Sequence, residues 1–153
     1  RGIPQLYYGT EVVMEGDKSL GDGRLRDDFP GGWPGDARNA FTGTGLTGQE
    51  KEALEFTRLI LNWRKDKEVI HTGRLKHFIP SEGVYVYFRY NSSESVMVII
   101  NANQKESKTI NGWKYAESLV GFTVGTDIIS GRKIDDLNSF AIAPQTAMII
   151  ELK

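Results

Sequence analysis

No cysteine occurs anywhere in the 153 residues. Its absence excludes a disulfide framework, a thiolate nucleophile and every cysteine-based zinc site. It leaves the compartment open between periplasm and cytoplasm, because many exported bacterial proteins also lack cysteine. Nor does any apolar run approach the ~20 residues that a membrane span needs. Neither sign of charge dominates: 19 Lys and Arg stand against 20 Asp and Glu, a formal net charge of -1. That balance argues against a nucleic-acid footprint and against a membrane-surface patch. Histidine is scarce, and His71 and His77 have neither the spacing nor the partners of a zinc site or a catalytic triad. Both read as strand residues. The first residue is Arg, and no signal-peptide-like apolar segment follows it, so the chain is expected to be an excised piece of something longer.

What is present begins with Arg1-Gly2-Ile3-Pro4-Gln5-Leu6-Tyr7-Tyr8-Gly9. Residues 3–8 are apolar or aromatic on both alternating faces, the pattern of a strand covered on two sides. The remaining residues cannot supply such cover, since a chain this long holds one ordinary domain, or a small domain plus part of another. Residues 15–36 follow with no periodic apolar face and many turn formers, including Gly21-Asp22-Gly23 and Phe29-Pro30-Gly31-Gly32-Trp33-Pro34. So long a loop is functional or disordered, and Phe29 and Trp33 argue against a linker, which is poor in large aromatics.

Thr47-Gly48-Gln49-Glu50 spells a capping box, predicting a helix to about Lys65. Lys51, Glu55, Arg58, Asn62 and Lys65 form one wet stripe. Ala53, Leu54, Phe56, Leu59, Ile60, Leu61 and Trp63 cover far more than one core-facing stripe, so the helix needs partners on two sides.

From Val69 the period becomes two. Strands are expected at 73–79, 84–90, 96–101, 108–110, 123–129, 140–143 and 146–152, with the all-apolar run Val96-Met97-Val98-Ile99-Ile100 at the centre. Short strands at this spacing, separated by turns such as Ser81-Glu82-Gly83 and Ser130-Gly131-Arg132, predict an antiparallel sandwich. Residues 111–120 read either as a loop with Trp113 as a plug or as a short helical turn. Trp113 itself is either a surface platform or, as expected, a core or edge plug.

RGIPQLYYGTE, GDGRLRDDFPGGW and the helix ending in NWRK together resemble the eighth strand, loop and helix of the α-amylase-type glycoside hydrolases, above all the neopullulanase and cyclomaltodextrinase branch. TDIISGRKI and APQTAMIIELK resemble the closing strands of that family's C-terminal sandwich. The resemblance implies a mostly β chain: residues 1–66 as what is left of a (β/α)8 barrel, one long loop and one amphipathic helix, and residues 67–153 as an antiparallel, Greek-key β-sandwich. It implies a parent that is a retaining glycosidase acting on α-1,4- and α-1,6-glucans such as starch or pullulan.

Such an enzyme needs a nucleophilic carboxylate and a carboxylic acid about 5 Å apart across the scissile bond. In the family these follow earlier barrel strands, and no Asp or Glu here matches them, so no catalytic residue is assigned and the chain alone is expected to be inactive. Binding residues do carry over. Asp22 and Arg26 match the family pair that hydrogen-bonds a glucose ring, a carboxylate accepting from hydroxyls and a guanidinium donating to one. The bland reading is that the two pair with each other and brace the loop. Trp33, like Phe29, either stacks on a sugar or anchors the loop.

Two look-alikes fail in context. Gly43-Thr44-Gly45-Leu46-Thr47-Gly48 has the spacing of a dinucleotide fingerprint, but no buried strand precedes it. Asp17, Asp22, Asp27 and Asp28 lack the spacing of a calcium loop, so no metal or other cofactor is assigned, calcium in the parent being left open. The expected partners are an α-glucan oligosaccharide and the barrel of the parent, and the apolar N-terminal segment is a place for self-association. The alternatives are an autonomous carbohydrate-binding module and a purely structural or oligomerising β-domain.

Overall fold

Two compact units, Arg1–Trp63 and Arg64–Lys153, make up the computed structural model, which describes residues 3–153. The second unit is β-rich. Its strands are β1 (Arg74–His77), β2 (Val84–Tyr90), β3 (Ser95–Asn101), β4 (Lys108–Asn111), β5 (Gly125–Asp127), β6 (Lys133–Ile134), β7 (Ser139–Ile142) and β8 (Thr146–Leu152). Six of them form one sheet in the order β1-β2-β3-β8-β5-β6, and β4 and β7 form a second. Every pairing is antiparallel.

Local chemistry sets these pairings. The β1–β2 hairpin closes on two reciprocal bonds between Ser81 and Val84, with Glu82 and Gly83 at φ 53 and 74, the left-handed pair that matches strand twist. The β2–β3 turn is held by Asn91, whose Oδ1 accepts the amides of Ser93 at 2.9 Å and Glu94 at 2.7 Å. β3 lies inside the large sheet between β2 and β8, as its two-sided apolar pattern predicts.

The core lies between the sheets. Val86, Phe88, Met97, Ile99, Met148, Ile150 and Leu152 on one side meet Ile110, Phe140 and Ile142 on the other. Along β8 the alternate residues Met148, Ile150 and Leu152 are buried, and this period of two is what holds its register. Buried Asn101 joins three segments: its Nδ2 donates to the carbonyls of Glu106 and Ala143, both at 2.9 Å, and its Oδ1 accepts from Asn103.

Residues 111–120 take the second of their two expected forms, a 3-10 turn (Gly112–Tyr115) running into a short helix (Ala116–Leu119). Other expectations are corrected. Trp113 is no plug: it is 73% exposed. His71 is not a strand residue but ends the short helix Glu68–His71. The strand expected over 123–129 stops at Asp127, because that side chain turns the backbone, and β6 is too short to show a periodicity.

Lys67 ties this unit together by ion pairs to Glu151 at 2.7 Å and Glu94 at 3.4 Å. The hydrogen bond to Glu151, above all, raises its pKa. A raised lysine stabilises the fold below its unfolded pKa and loses that contribution as pH climbs through the folded value. Lys67→Met is therefore expected to cost about 1 kcal/mol near neutral pH and nothing in strongly alkaline solution, read from urea midpoints at both.

The first unit has little regular structure before its helix. It has three 3-10 turns, Thr10–Val12, Lys18–Leu20 and Asp22–Leu25, and Val12 of the first forms a small cluster with Ala40 and Leu46, against which Met14, Phe29 and Leu54 pack. Helix α1 (Gly48–Lys65) begins with the capping box: Thr47 donates its amide to Glu50 Oε2 at 2.7 Å, and Glu50 donates its amide to Thr47 Oγ1 at 3.3 Å. Residues 3–8 do not form the predicted strand; Arg1 and Gly2, where that reading began, lie outside the described residues. A strand exists only by pairing, and among the described residues of this unit there is no strand to pair with, only an isolated bridge between Asn39 and Thr44. Ile3 is accordingly 95% exposed.

Candidate functional site

The loop of residues 15–36 is built from successive side-chain caps. Asp17 accepts the amide and the hydroxyl of Ser19 at 2.8 and 2.7 Å, the hydroxyl bond foremost in holding its carboxyl below the usual range. Gly21 then turns the chain into the 3-10 turn that Asp22 opens, and the amide of Arg26 closes it on Gly23 O at 3.1 Å. Asp22 and Arg26 are both exposed. No ion pair joins them among the described residues, so the bracing alternative is not formed.

Further on, Asp36 organises the loop tip, its Oδ2 accepting the amides of Gly31 at 3.0 Å and Trp33 at 3.1 Å. Trp33 is 63% exposed, whereas Phe29 is half-buried and meets Phe41 edge-on at 5.7 Å. The two aromatics therefore divide the roles that the sequence left open. Phe29 anchors, and Trp33 stays in solvent. Asp22, Arg26 and Trp33 are presented by short turns pinned at Asp17 and Asp36. Sequence reading missed Asp36, although P-G-D-A carries the signal of an aspartate that caps backbone amides near it.

A cavity of about 440 Å³ opens elsewhere in this unit, lined by Asp27, Asp28, Arg38 and Glu50 among others. Two of its charges are paired with each other. Glu50 binds Arg38 and the Thr47 amide, the latter foremost in lowering its pKa. In the glycine-rich stretch from Gly43 to Gly48, Thr47 serves the helix cap and Thr44 forms a bridge to Asn39. Among the described residues no cluster of three or more His, Asp or Glu could hold a metal ion.

Comparison with known proteins decides the lineage. Residues 75–151, just over half of the chain, match the cyclo-maltodextrinase C-terminal domain. The chain belongs to the cyclo-maltodextrinase C-terminal domain family. Among curated proteins, a cyclomaltodextrin glucanotransferase of Geobacillus stearothermophilus is 22% identical over 151 residues, 94% of this chain and 19% of that protein. Among solved structures, the α-amylase of Geobacillus thermoleovorans complexed with acarbose aligns at TM-score 0.67 and 18% identity, covering 99% of this chain and 30% of that one. The cyclic α-maltosyl-(1→6)-maltose hydrolase of Arthrobacter globiformis aligns at TM-score 0.62 and 17% identity, covering 97% of this chain and 26% of that one. This family member thus spans about a fifth of the curated relative it matches and under a third of each of these two structures. Its β-rich unit carries the matched cyclo-maltodextrinase C-terminal domain and shares the fold of the corresponding part of these structures.

Proposed function

We propose that this chain works as the C-terminal part of a retaining glycoside hydrolase acting on α-glucans. Residues 1–66 complete a (β/α)8 barrel, and residues 67–153 are the sandwich that follows it. The observation that carries this reading is α1. None of its residues is buried, and Phe56, Leu59 and Leu61 stand 48%, 40% and 42% exposed. Each Å² of such surface gains roughly 25 cal/mol when covered, and a barrel is a cover that suits a helix with two apolar sides. Leu6, Tyr7 and Tyr8, likewise exposed, fit the same cover as the strand they were expected to be. Without a barrel this surface is open to a second copy of the chain.

The substrate class rests on relatives named for maltose compounds and on the chemistry of the loop. Asp22 and Arg26, unpaired with each other, offer an acceptor and a donor to sugar hydroxyls, and Trp33 offers a flat apolar face. The acid and nucleophile come from the barrel, so the chain alone turns nothing over.

The test uses the enzyme that carries this chain together with its barrel. Loss of one charge-assisted hydrogen bond is worth about 1.5–3 kcal/mol, so Asp22→Ala is expected to lower kcat/KM for maltoheptaose roughly 10- to 100-fold. A change below about twofold in both Asp22→Ala and Arg26→Ala would remove the loop from substrate binding. Turnover of maltoheptaose by the chain alone would reject the division of labour.

A further inference from the structure

Two positions in the sequence, Asp22-Gly23 and Asn111-Gly112, set a short side-chain carbonyl directly before a glycine. In either pair the glycine nitrogen can attack Cγ of the residue before it and close a succinimide ring, because glycine has no Cβ to hold the two apart. Chemistry alone ranks Asn111 first, since an amide is ready to react at neutral pH while an ionised carboxyl must first regain a proton.

The fold reverses that order. Asn111 ends β4, pairs with Ser139 of β7 and is extended at φ -99 and ψ 104. The Gly112 amide donates to Asn138 O at 2.9 Å, and a Cβ at Gly112 would come within 2.3 Å of Leu137 O, so the attacking nitrogen is both engaged and boxed in. To reach Cγ it must leave the pairing of β4 with β7, whose Ile110, Phe140 and Ile142 belong to the core.

Asp22-Gly23 meets no such obstacle. Both residues are exposed, in a 3-10 turn that has no buried residue. The Asp22 side chain has no hydrogen-bond or ion-pair partner among the described residues, and neither does the Gly23 nitrogen. The turn is closed around them instead, by the amide of Arg24 on Gly21 O and that of Arg26 on Gly23 O, both at 3.1 Å. A Cβ at Gly23 would meet nothing within 4 Å, so the ring has room to form. Opening so short and wet a turn costs little.

We propose that Asp22-Gly23 is a site of spontaneous covalent modification, where this chain converts aspartate to isoaspartate as it ages. The Gly23 nitrogen bonds to Cγ of the protonated side chain, and the carboxyl hydroxyl and the amide hydrogen leave together as water. Water then adds back to either ring carbonyl. Opening on the main-chain side leaves a backbone that runs through Cβ and Cγ, one carbon longer, with the carboxylate on Cα. Atoms and charge balance without oxidant or cofactor, since the water lost in the first step is regained in the second. The carboxylate is displaced, which ends whatever contact Asp22 makes; that this weakens α-glucan binding rests on the functional reading above.

The test ages the whole chain for weeks in warm neutral buffer and maps its peptides, scoring isoaspartate at 22 and loss of the amide at 111. Isoaspartate at 22 is expected to accumulate about fivefold or more faster than any product at Asn111, because opening of the core pairing is rare. In denaturing urea, which removes that protection, the order is expected to reverse. Gly23→Ala has room for its methyl and keeps the Asp22 carboxylate, and is expected to slow the conversion about tenfold by crowding the nitrogen. Product at Asn111 that equals or leads that at 22 in the folded chain overturns the site, and so does a rate that Gly23→Ala leaves unchanged. In the enzyme that carries this chain with its barrel, kcat/KM for maltoheptaose is expected to fall in proportion to the isoaspartyl fraction. Isoaspartate that forms with kcat/KM unmoved upholds the modification and removes Asp22 from substrate binding.

Discussion

Asp127→Ala is expected to destabilise the sandwich unit by about 3 kcal/mol, among the largest losses available from one polar side chain. Asp127 is 2% exposed, and its two oxygens serve four donors. Oδ1 accepts the amides of Ile149 at 2.9 Å and Ile129 at 3.3 Å; Oδ2 accepts the Ser130 hydroxyl at 2.6 Å and its amide at 3.1 Å. One carboxylate thus turns the chain out of β5 and fastens that turn to β8. The turn closes with Gly131 at φ 71, where its amide reaches Asp127 O at 2.8 Å. Alanine would leave buried donors unmet, whereas Asp127→Asn keeps the shape and one acceptor and is expected to lose about half as much. Urea midpoints with unchanged slopes read both values. A loss below about 1 kcal/mol for alanine would mean that water replaces the carboxylate, and that the turn is held by its backbone alone.

That residue also shows where sequence reading stops. Period-two alternation located β2 and β8 to the residue, because a strand with one buried face writes its register into every second position. The capping box placed the start of α1 for an equally local reason: both bonds lie within four residues. Asp127 was passed over because its acceptors' value depends on Ile149, far away in sequence and adjacent only after β5 meets β8. Trp113 was misread because composition favours burying an indole, and only the packing of Gly112 against Leu137 and Asn138 shows that the turn points it to solvent. Residues 3–8 were legible as a two-sided apolar run, yet a strand is a property of two chains' backbones, and the described part of this unit supplies only one. At the loop, Asp22, Arg26 and Trp33 could be singled out by resemblance, while Asp36, which shapes the tip between them, emerged only from its bonds to Gly31 and Trp33.

Hydrogen exchange on the dilute chain is expected to separate β3 from α1 by several orders of magnitude. β3 is bonded on both edges and nearly all buried, so its amides open only with global unfolding, which for a domain of this size costs about 5–15 kcal/mol. α1 has no buried residue to share that cost. A helix of such length is marginal by itself, so its amides are expected to open for roughly 1–2 kcal/mol. Besides the packing of Leu54 on the small cluster, what holds it is local, the Thr47–Glu50 box foremost, and Thr47→Ala is expected to remove about 1 kcal/mol of the remainder. The box carries a pH dependence of known sign. Glu50 is held below its usual pKa by the Thr47 amide first and by Arg38 after it, so its contribution is present above the ordinary glutamate range and fades as pH falls through the lowered value. α1 exchange is therefore expected to quicken, relative to β3, only as the pH falls below the ordinary glutamate range, and not between neutral and mildly acidic solution. Protection of α1 equal to that of β3 in dilute monomer would mean that its apolar sides are already covered and that no barrel is needed to cover them. Weak protection that rises when the barrel is supplied in the same polypeptide would show Phe56, Leu59 and Leu61 meeting the surface for which their two-sided pattern is suited.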